Sequence, residues 1–485
     1  MKIGNQAFIL TISRLANYGL MLLAPLVLVR LMPVTDFGQY REFILYGGIL
    51  YSLASFQINE SLLFFVPANP ESPWRVVRTT LQMSAVSSVL VVAVLVALDL
   101  GTGGSLVGPY LLPLSLYTLL LVNVDFWEFF FVARRQPKLV MIYTAVRLAS
   151  RMLASVIAAA VFQTVEAIIW SLVAIEGLRF VISTIWWRRL DRSAEEPPIP
   201  DALRAQIRFC MPTGLTSLLS IARRNLISVA VAKLAGPVSL AYFAIGKYAE
   251  PVVITVRNSL TTVILPEMVR RQDRQPDAAF ALWKKATVVN AIILFPVVVL
   301  AVRYAHPLVV AAFGEAYLPA AVLVQIHMLV VIRECFDFSP LLRSSGKTMG
   351  LVHGAVAGLI AGALALYFLM PKFGLPGAMG AFAVASWVEV TVLAIESSRV
   401  HKLSIRHLVP WWSMARTAIA AALAGLVIVD SFWTNTLGLA GIVLASAVYF
   451  AVFVGLILLM RVPEAFVLLS WVRKIGFPVA EQRGH

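Results

Sequence analysis

The stretch LVRLMPVTDFGQY, residues 28–40, joins two long apolar segments and has a counterpart 203 residues later, VAKLAGPVSLAYF at residues 231–243. A second pair of stretches, RQPKLVMIYTAV at 135–146 and SGKTMGLVHGAV at 345–356, recurs at a separation of 210 residues. Similar stretches at a nearly constant separation indicate an internal duplication, so we expect two similar halves. The alternative is a chance match between apolar segments of low complexity.

The composition indicates that the lipid bilayer is the solvent. Of the 485 residues, 60% are hydrophobic and only 13% are charged, and the mean hydropathy is +0.85. An ordinary soluble domain is roughly 45–50% apolar and about 25% charged. The two cysteines, Cys210 and Cys335, lie in apolar runs. Two such isolated thiols predict neither a disulfide framework nor a metal site.

Apolar runs long enough to cross the bilayer, about 20 residues each, define the predicted membrane spans. Fourteen such runs occur, at 8–30, 42–66, 79–99, 109–132, 139–162, 166–187, 209–232, 239–265, 286–302, 319–341, 350–370, 376–397, 413–429 and 437–460. We therefore predict an all-α, polytopic membrane protein. Its predicted parts are a six-helix bundle (1–187), an exposed cytoplasmic linker (188–206), a second six-helix bundle (207–398), two additional helices (399–460) and a tail (461–485).

The basic residues predict the orientation of these spans. With the N-terminus in the cytoplasm, 26 of the 40 Lys and Arg residues lie on the cytoplasmic side, 5 lie outside and 9 lie within spans. This bias follows the positive-inside rule, so both termini are expected in the cytoplasm of a protein of the cytoplasmic membrane. The net charge of +15 is then a topology signal facing anionic lipid, and it does not indicate nucleic-acid binding. Because six spans is an even number, a pseudo-twofold axis along the membrane normal is expected to relate the halves, with the substrate path between them.

Two regions resemble a known family. LVRLMPVTDFGQY resembles the first-loop signature of the Wzx-like polysaccharide flippases, which belong to the multidrug/oligosaccharidyl-lipid/polysaccharide (MOP) superfamily. LLRSSGKTMGLVHGAV (341–356) and PKFGLPGAMGAFAVA (371–385) resemble the signature around the eleventh and twelfth helices of these proteins. The chain departs from the family midway along the seventh helix, where many members carry an acid and this chain has Arg223-Arg224-Asn225. A coupling role for an acid there is therefore not expected.

The resemblance implies an activity and partners. The activity is alternating-access transfer of a polyprenyl-diphosphate-linked oligosaccharide across the cytoplasmic membrane, for capsule, O-antigen or exopolysaccharide synthesis. No cofactor is implied, apart from H⁺ or Na⁺ as a coupling ion. The implied partners are the lipid-linked glycan, membrane lipids, a glycan polymerase and chain-length proteins.

Charged side chains within spans are costly, so each is a candidate functional residue. The spans contain nine cations and nine acids, which favours neutralising ion pairs. Spacings of three or four residues predict three local pairs, namely Glu176 with Arg179, Lys247 with Glu250, and Arg333 with Asp337.

The remaining cations away from the span ends lack a local partner. Arginine suits phosphate because its planar fork can donate two hydrogen bonds at once. We therefore predict a substrate-binding group that faces the diphosphate, made of Arg147, Arg151, Arg223, Arg224 and Arg257. Lys247 is added to it because it shares one face of the eighth helix with Arg257.

Four acids are candidates for ion coupling. Asp125 and Glu128 share one face of the fourth helix, where two close carboxylates favour sharing a proton. Glu60 and Glu389 are weaker candidates. The alternative for Asp125 and Glu128 is that they neutralise the two arginines of the fifth helix.

Three other functions are compatible with a chain of this kind. A multidrug exporter of the same superfamily would carry cationic cargo, which buried arginines disfavour. The sequence does not distinguish well between a flippase for a lipid-linked peptidoglycan precursor and a flippase for a lipid-linked oligosaccharide. A membrane glycosyltransferase or polymerase needs a catalytic loop, but the outer loops are short and lack paired carboxylates, a phosphate-binding glycine loop or a metal site. We therefore do not expect an enzyme.

Overall fold

A computed structural model describes residues 23–272, 276–426 and 430–465. The structure is 87% helical, and none of the described residues lies in a strand. The chain divides into two compact units, unit 1 (Met1–Ala244) and unit 2 (Ile245–His485), which are described separately below.

The described part of unit 1 contains nine helices and short 3-10 turns. The first helix, α1, is described over residues 23–31. The others are α2 (Val34–Ser55), α3 (Leu62–Ala68), α4 (Pro73–Gly101), α5 (Leu111–Val124), α6 (Phe126–Ala133), α7 (Pro137–Phe162), α8 (Val165–Leu190) and α9 (Ala202–Gly246), which ends just inside unit 2.

Unit 2 continues with helices of very unequal length. They are α10 (Glu250–Gln272), α11 (Pro276–Arg303), α12 (Ala305–Phe313), α13 (Ala320–Arg333), α14 (Ser339–Ser344), α15 (Met349–His401), α16 (Ile405–Leu408), α17 (Trp411–Leu426) and α18 (Asp430–Leu459). Its core centres on buried aromatic side chains such as Trp283, Phe338 and Tyr449.

The described residues include eight helices long and apolar enough to cross a membrane, or nine if one bent pair counts as a span. Two of these candidates are too long to be one span. The stretch Ala202–Arg271 has 70 residues, and Met349–His401 has 53. At about 1.5 Å per residue, 53 residues would reach roughly 80 Å, against a hydrocarbon core of about 30 Å.

Helix α15 is two spans that fold back on each other. Its backbone leaves helical geometry at Gly374, where φ is 61° and ψ is −134°. The two arms then pack antiparallel, and His353 on the first arm is 3.1 Å from the Glu396 carboxylate on the second. Near the turn the arms are closest, because a Cβ added to Gly377 would lie 2.2 Å from the backbone oxygen of Leu369.

A similar turn lies in the second copy of the repeated stretch. Gly236 has φ 80° and ψ 179°, a conformation that only glycine adopts readily, and Pro237 follows it. The first copy packs directly against this turn, because a Cβ added to Gly38 would lie 2.1 Å from the Pro237 oxygen. The two copies of the repeat therefore touch each other within unit 1.

The second predicted span is not continuous. Helix α2 ends at Ser55, and the next helical segments bend away by 52°. Phe56 and Gln57 have positive φ angles of 40° and 63° at this break. Asn59, fully buried, donates to the Val122 oxygen at 3.0 Å. The break falls on the polar run QINES, residues 57–61, whose buried polar groups need partners that a continuous apolar helix does not supply.

The central linker is bound to unit 1. The Glu196 carboxylate accepts hydrogen bonds from the backbone N–H groups of Trp74 (3.1 Å) and Arg75 (2.8 Å), in the first turn of α4. The Arg75 Nε atom donates to the Glu196 backbone oxygen at 2.7 Å. A carboxylate at a helix N-terminus satisfies unpaired N–H groups and the positive end of the helix dipole.

The fold class is confirmed, since the second to the fourteenth predicted spans each fall on a helix or helix pair. The first span, 8–30, is described only from residue 23, and the tail 461–485 only to residue 465; the rest of both lies outside the described residues. The predicted domain bounds stay a prediction. The division into compact units falls within α9, after residue 244, whereas the sequence places the second bundle from residue 207.

The α15 hairpin gives a test of the packing. Gly377→Ala should lower the thermal unfolding temperature of the detergent-solubilised protein, because the new methyl meets backbone; overpacking of this kind costs about 1–3 kcal/mol. Gly380→Ala is the control, since its Cβ would meet only the Leu369 side chain at 3.7 Å. Equal unfolding temperatures for the two variants would contradict the close approach.

Candidate functional site

Unit 1 contains a cavity of about 550 Å³ that is lined by residues of α1, α2, α5, α6, α7 and α8. Its size falls within the range of small-molecule sites, about 300–1,000 Å³. The polar part of the lining combines aromatic hydroxyls with both charges and includes Tyr40, Tyr51, Tyr117, Glu128, Arg147 and Arg151.

Six charged side chains form one alternating chain beside this cavity. Arg147 bridges two acids, with Nη2 2.8 Å from Glu128 and Nη1 3.2 Å from Asp125. Asp125 also lies 3.1 Å from Arg179. Arg179 in turn pairs with Glu176.

Glu176 completes the charge chain by accepting a hydrogen bond from the Arg151 guanidinium. The order of the charge chain is Glu128, Arg147, Asp125, Arg179, Glu176, Arg151, so acids and arginines alternate and the sum is zero.

The middle of the charge chain is buried and its ends are open. The Glu176 side chain is 0% exposed and the Asp125 side chain 8%, whereas Glu128 is 27% and Arg151 23% exposed. Tyr143 supports the middle, because its hydroxyl accepts from Arg179 at 2.8 Å and donates to the Val124 oxygen at 3.0 Å. The two terminal charges are therefore the ones most accessible to a ligand.

Two arginines of the charge chain keep donors without a partner. Arg147 Nε and Arg151 Nη2 are buried atoms that donate to no described residue. The Thr144 hydroxyl, one helical turn before them on α7, is in the same state. Buried donors are nearly always satisfied in proteins, so these atoms mark a place where a further acceptor fits.

The second ionic group lies in unit 2. Arg257 on α10 pairs with Glu334 and lies 3.9 Å from Asp337. Arg333 pairs with Glu334 and Glu389, both at 2.8 Å.

The predicted local pair of Arg333 with Asp337 is therefore wrong. Helix α13 ends at Arg333, so the four-residue helical spacing does not continue to Asp337. Asp337 instead accepts from the backbone N–H of Ser339 at 3.0 Å, in the first turn of α14.

The other two local pairs are present. Glu176 pairs with Arg179, and Lys247 lies 3.3 Å from Glu250. The Lys247 ammonium also lies 4.1 Å from the ring centre of Phe382, a cation–π distance.

The predicted substrate-binding residues fall into three places. Arg147 and Arg151 meet at the cavity of unit 1, while Arg257 and Lys247 lie in unit 2. Arg223 and Arg224 lie on α9, where Arg223 is half-buried and Arg224 is exposed, as expected for adjacent helical residues that diverge.

The predicted ion-coupling acids also lie in separate places. Asp125 and Glu128 belong to the charge chain of unit 1, and Glu389 pairs with Arg333 in unit 2. Glu60 lies half-buried in the 3-10 turn at the break of the second span. Within the described ranges, no three His, Cys, Asp or Glu residues are grouped to hold a metal ion.

Sequence reasoning missed that Arg179 and Glu176 belong to the candidate site. They were predicted as a local pair, and that pairing is correct, but each also bonds to another helix. The available signal was that Arg147 and Arg151 lie on one face of the preceding helix and need acids from a neighbour. Helix α8 follows α7 directly and supplies Glu176.

Comparisons with solved structures show the fold. The lipid II flippase MurJ, in an inward closed conformation, is similar with a TM-score of 0.67 and 11% identity, over 92% of this chain and 98% of that one. An inward-facing multidrug-resistance MATE transporter of the MOP superfamily gives 0.57 and 13%, over 79% and 95%. A mutant of the Vibrio cholerae MATE transporter VcmN gives 0.54 and 13%, over 83% and 97%.

These neighbours are all MOP superfamily members, so the chain is a multi-pass membrane protein with that superfamily's fold. A comparison with curated proteins found no match. The family described as "Polysaccharide biosynthesis protein" matches residues 27–322, which is more than half of the sequence. The chain therefore belongs to this polysaccharide biosynthesis protein family.

Proposed function

We propose that the protein is a flippase that moves a polyprenyl-diphosphate-linked oligosaccharide across the cytoplasmic membrane by alternating access. The family, the MOP fold and the cavity of unit 1 support this proposal. The observation that carries it is the pair of buried donors beside the cavity, Arg147 Nε and Arg151 Nη2, that have no partner among the described residues. Guanidinium donors held in a membrane-spanning cavity suit an anionic headgroup.

The cavity lining matches the two chemistries of such a headgroup. The arginines supply hydrogen bonds and charge for the diphosphate. Tyr40, Tyr51 and Tyr117 supply flat apolar faces with polar tips, which suit a sugar ring and its hydroxyls. The substrate would then feed capsule, O-antigen or exopolysaccharide synthesis, with a polymerase and chain-length proteins as partners.

Ion coupling is part of the same proposal. H⁺ or Na⁺ is the proposed coupling ion, and its candidate sites remain Asp125, Glu128, Glu60 and Glu389. Arg223, Arg224, Arg257 and Lys247 remain candidates for substrate contacts outside the cavity of unit 1.

A lipid-linked peptidoglycan precursor is the second candidate substrate, because MurJ, described as a lipid II flippase, is similar over 98% of its own length. A growth test in cells depleted of their own lipid II flippase distinguishes which of the two substrates this protein transports. Growth restored by this chain would favour the peptidoglycan precursor, and failure to restore growth would favour another lipid-linked glycan.

The proposed role of the cavity arginines in substrate binding can be tested by measuring glycan export. Arg147→Ala/Arg151→Ala should reduce surface glycan at least about tenfold in cells that depend on this chain, because two donors to the diphosphate are lost. Surface glycan is measured by labelling, and membrane levels of the protein by immunoblot. Arg192→Ala, an exposed arginine of the linker, is the matched control. Full export by the double variant at normal protein levels would refute the site.

The proposed orientation, with both termini in the cytoplasm, can be tested by cysteine labelling. Ser105→Cys lies on the outer side in this orientation and should react with a membrane-impermeant maleimide in intact cells. Arg192→Cys lies in the linker and should react only after the membrane is opened. Both positions are exposed, and the native Cys210 and Cys335 are buried. The reverse labelling pattern would invert the topology.

A further inference from the structure

We infer that Glu128 is an internal competitor of the substrate: it occupies the place on Arg147 that a substrate phosphate takes, and it leaves with uptake of a proton when the anion binds. This inference rests on the proposed function, since it concerns the same cavity. It assigns to Glu128 a role in setting affinity and its pH dependence.

The position of Glu128 in the charge chain makes it the displaceable acid. Asp125 and Glu176 lie inside the charge chain, and each is shared by two arginines. Glu128 is terminal, and Arg147 is its sole ion-pair partner among the described residues. Removing an interior acid would take a partner from two buried guanidiniums, whereas moving Glu128 takes a partner only from Arg147, which keeps Asp125.

The exposed fractions of the three acidic side chains also identify Glu128 as the displaceable acid. The Glu128 side chain is 27% exposed, against 8% for Asp125 and 0% for Glu176, and it lines the cavity. A ligand entering the cavity therefore reaches the pair of Glu128 and Arg147 before the interior pairs. Arg147 Nη2, now 2.8 Å from Glu128, and the unpartnered Nε are neighbouring donors of one guanidinium. A phosphate that displaces Glu128 gains both, in the bidentate geometry that arginine favours.

The charge balance requires the proton. The charge chain is neutral while the cavity is empty, with three arginines and three acids. A diphosphate adds at least about two negative charges. A displaced Glu128 carboxylate would then stand beside an anion in a membrane-embedded cavity, where the ionised form is disfavoured. A proton from solvent adds to one carboxylate oxygen, the acid becomes neutral, and no other bond is made or broken.

The ionisable groups near Glu128 determine which other side chains could change charge with pH. The charged and titratable side chains of this region, taken from every helix that lines the cavity, are Tyr40, Arg41, Tyr51, Tyr117, Asp125, Tyr143, Arg147, Arg151, Glu176 and Arg179. Arginine and tyrosine do not ordinarily change charge between about pH 5 and about pH 8. All six histidines of the chain lie in unit 2, at positions 306, 327, 353, 401, 407 and 485. Among the described side chains of unit 1, the carboxylates are therefore the groups that can change charge with pH. The terminal phosphate of a monoester diphosphate also titrates near about pH 6, so the part of the pH dependence that Glu128→Gln removes is the part that reports on Glu128.

The test measures binding of farnesyl diphosphate, a short prenyl diphosphate, to the detergent-solubilised full-length protein by isothermal titration calorimetry. From about pH 8 to about pH 6, the affinity of the wild type should rise at least about tenfold more than that of Glu128→Gln, because binding to the wild type is linked to uptake of a proton. Glu128→Gln should bind about tenfold more tightly than the wild type at about pH 8. Glu166→Gln, an exposed acid at the start of α8, is the matched control and should behave like the wild type.

A second measurement counts the protons. Titrations in buffers of different ionisation enthalpy give the number of protons taken up per ligand, and near about pH 7.5 the wild type should take up more than Glu128→Gln, whose value reports the ionisation of the ligand itself. Equal proton uptake by the two proteins, or weaker binding by Glu128→Gln, would overturn the inference while leaving the flippase proposal intact. Absence of any farnesyl diphosphate binding by the wild type, or unchanged binding by Arg147→Ala, would instead count against the proposed function itself.

Discussion

Arginine side chains in membrane-spanning helices must find negative partners or water, and the six-residue charge chain of unit 1 satisfies this requirement for three of them at once. Each interior member is shared by two neighbours, so Arg147 and Arg179 each have two acids, and Arg151 at the end has Glu176. Helices α5, α6, α7 and α8 are tied together by these contacts and form walls of the cavity. The arrangement of this unit therefore follows from one condition, that buried charge be neutralised locally.

The sequence predicted the fold well because the length of an apolar run depends directly on the thickness of the bilayer. It failed where the chain interrupts a span without changing its average hydropathy. At the break after Ser55, buried Asn59 donates a hydrogen bond to the Val122 oxygen, and a partner so distant in sequence cannot be seen in a window of about 20 residues. At the end of α13, Asp337 accepts from the backbone N–H of Ser339, a local contact that average hydropathy does not register.

The candidate site was predictable only in part, because the spacing of residues along one helix indicates the ion pairs within that helix but not those between helices. Spacing along one helix correctly paired Glu176 with Arg179 and Lys247 with Glu250. It could not show that Arg179 also reaches Asp125, because that contact joins helices 54 residues apart in sequence. The alternative that Asp125 and Glu128 neutralise arginines of the next helix is what the structure shows for Arg147, whereas Arg151 takes its acid from α8.

A neutral charge chain is well suited to a carrier that must release what it binds. Three uncompensated arginines in a low-dielectric cavity would hold a diphosphate too strongly for turnover, and they would also destabilise the empty protein. Acids that already occupy most of the donors reduce the affinity, because each new contact with the ligand replaces an existing one. The general condition for conduction, binding strong enough for entry but weak enough for exit, is then met by competition within the protein. In the proposed mechanism, the two donors on Arg147 and Arg151 that no described residue accepts from supply the initial attraction, and the acids limit its strength.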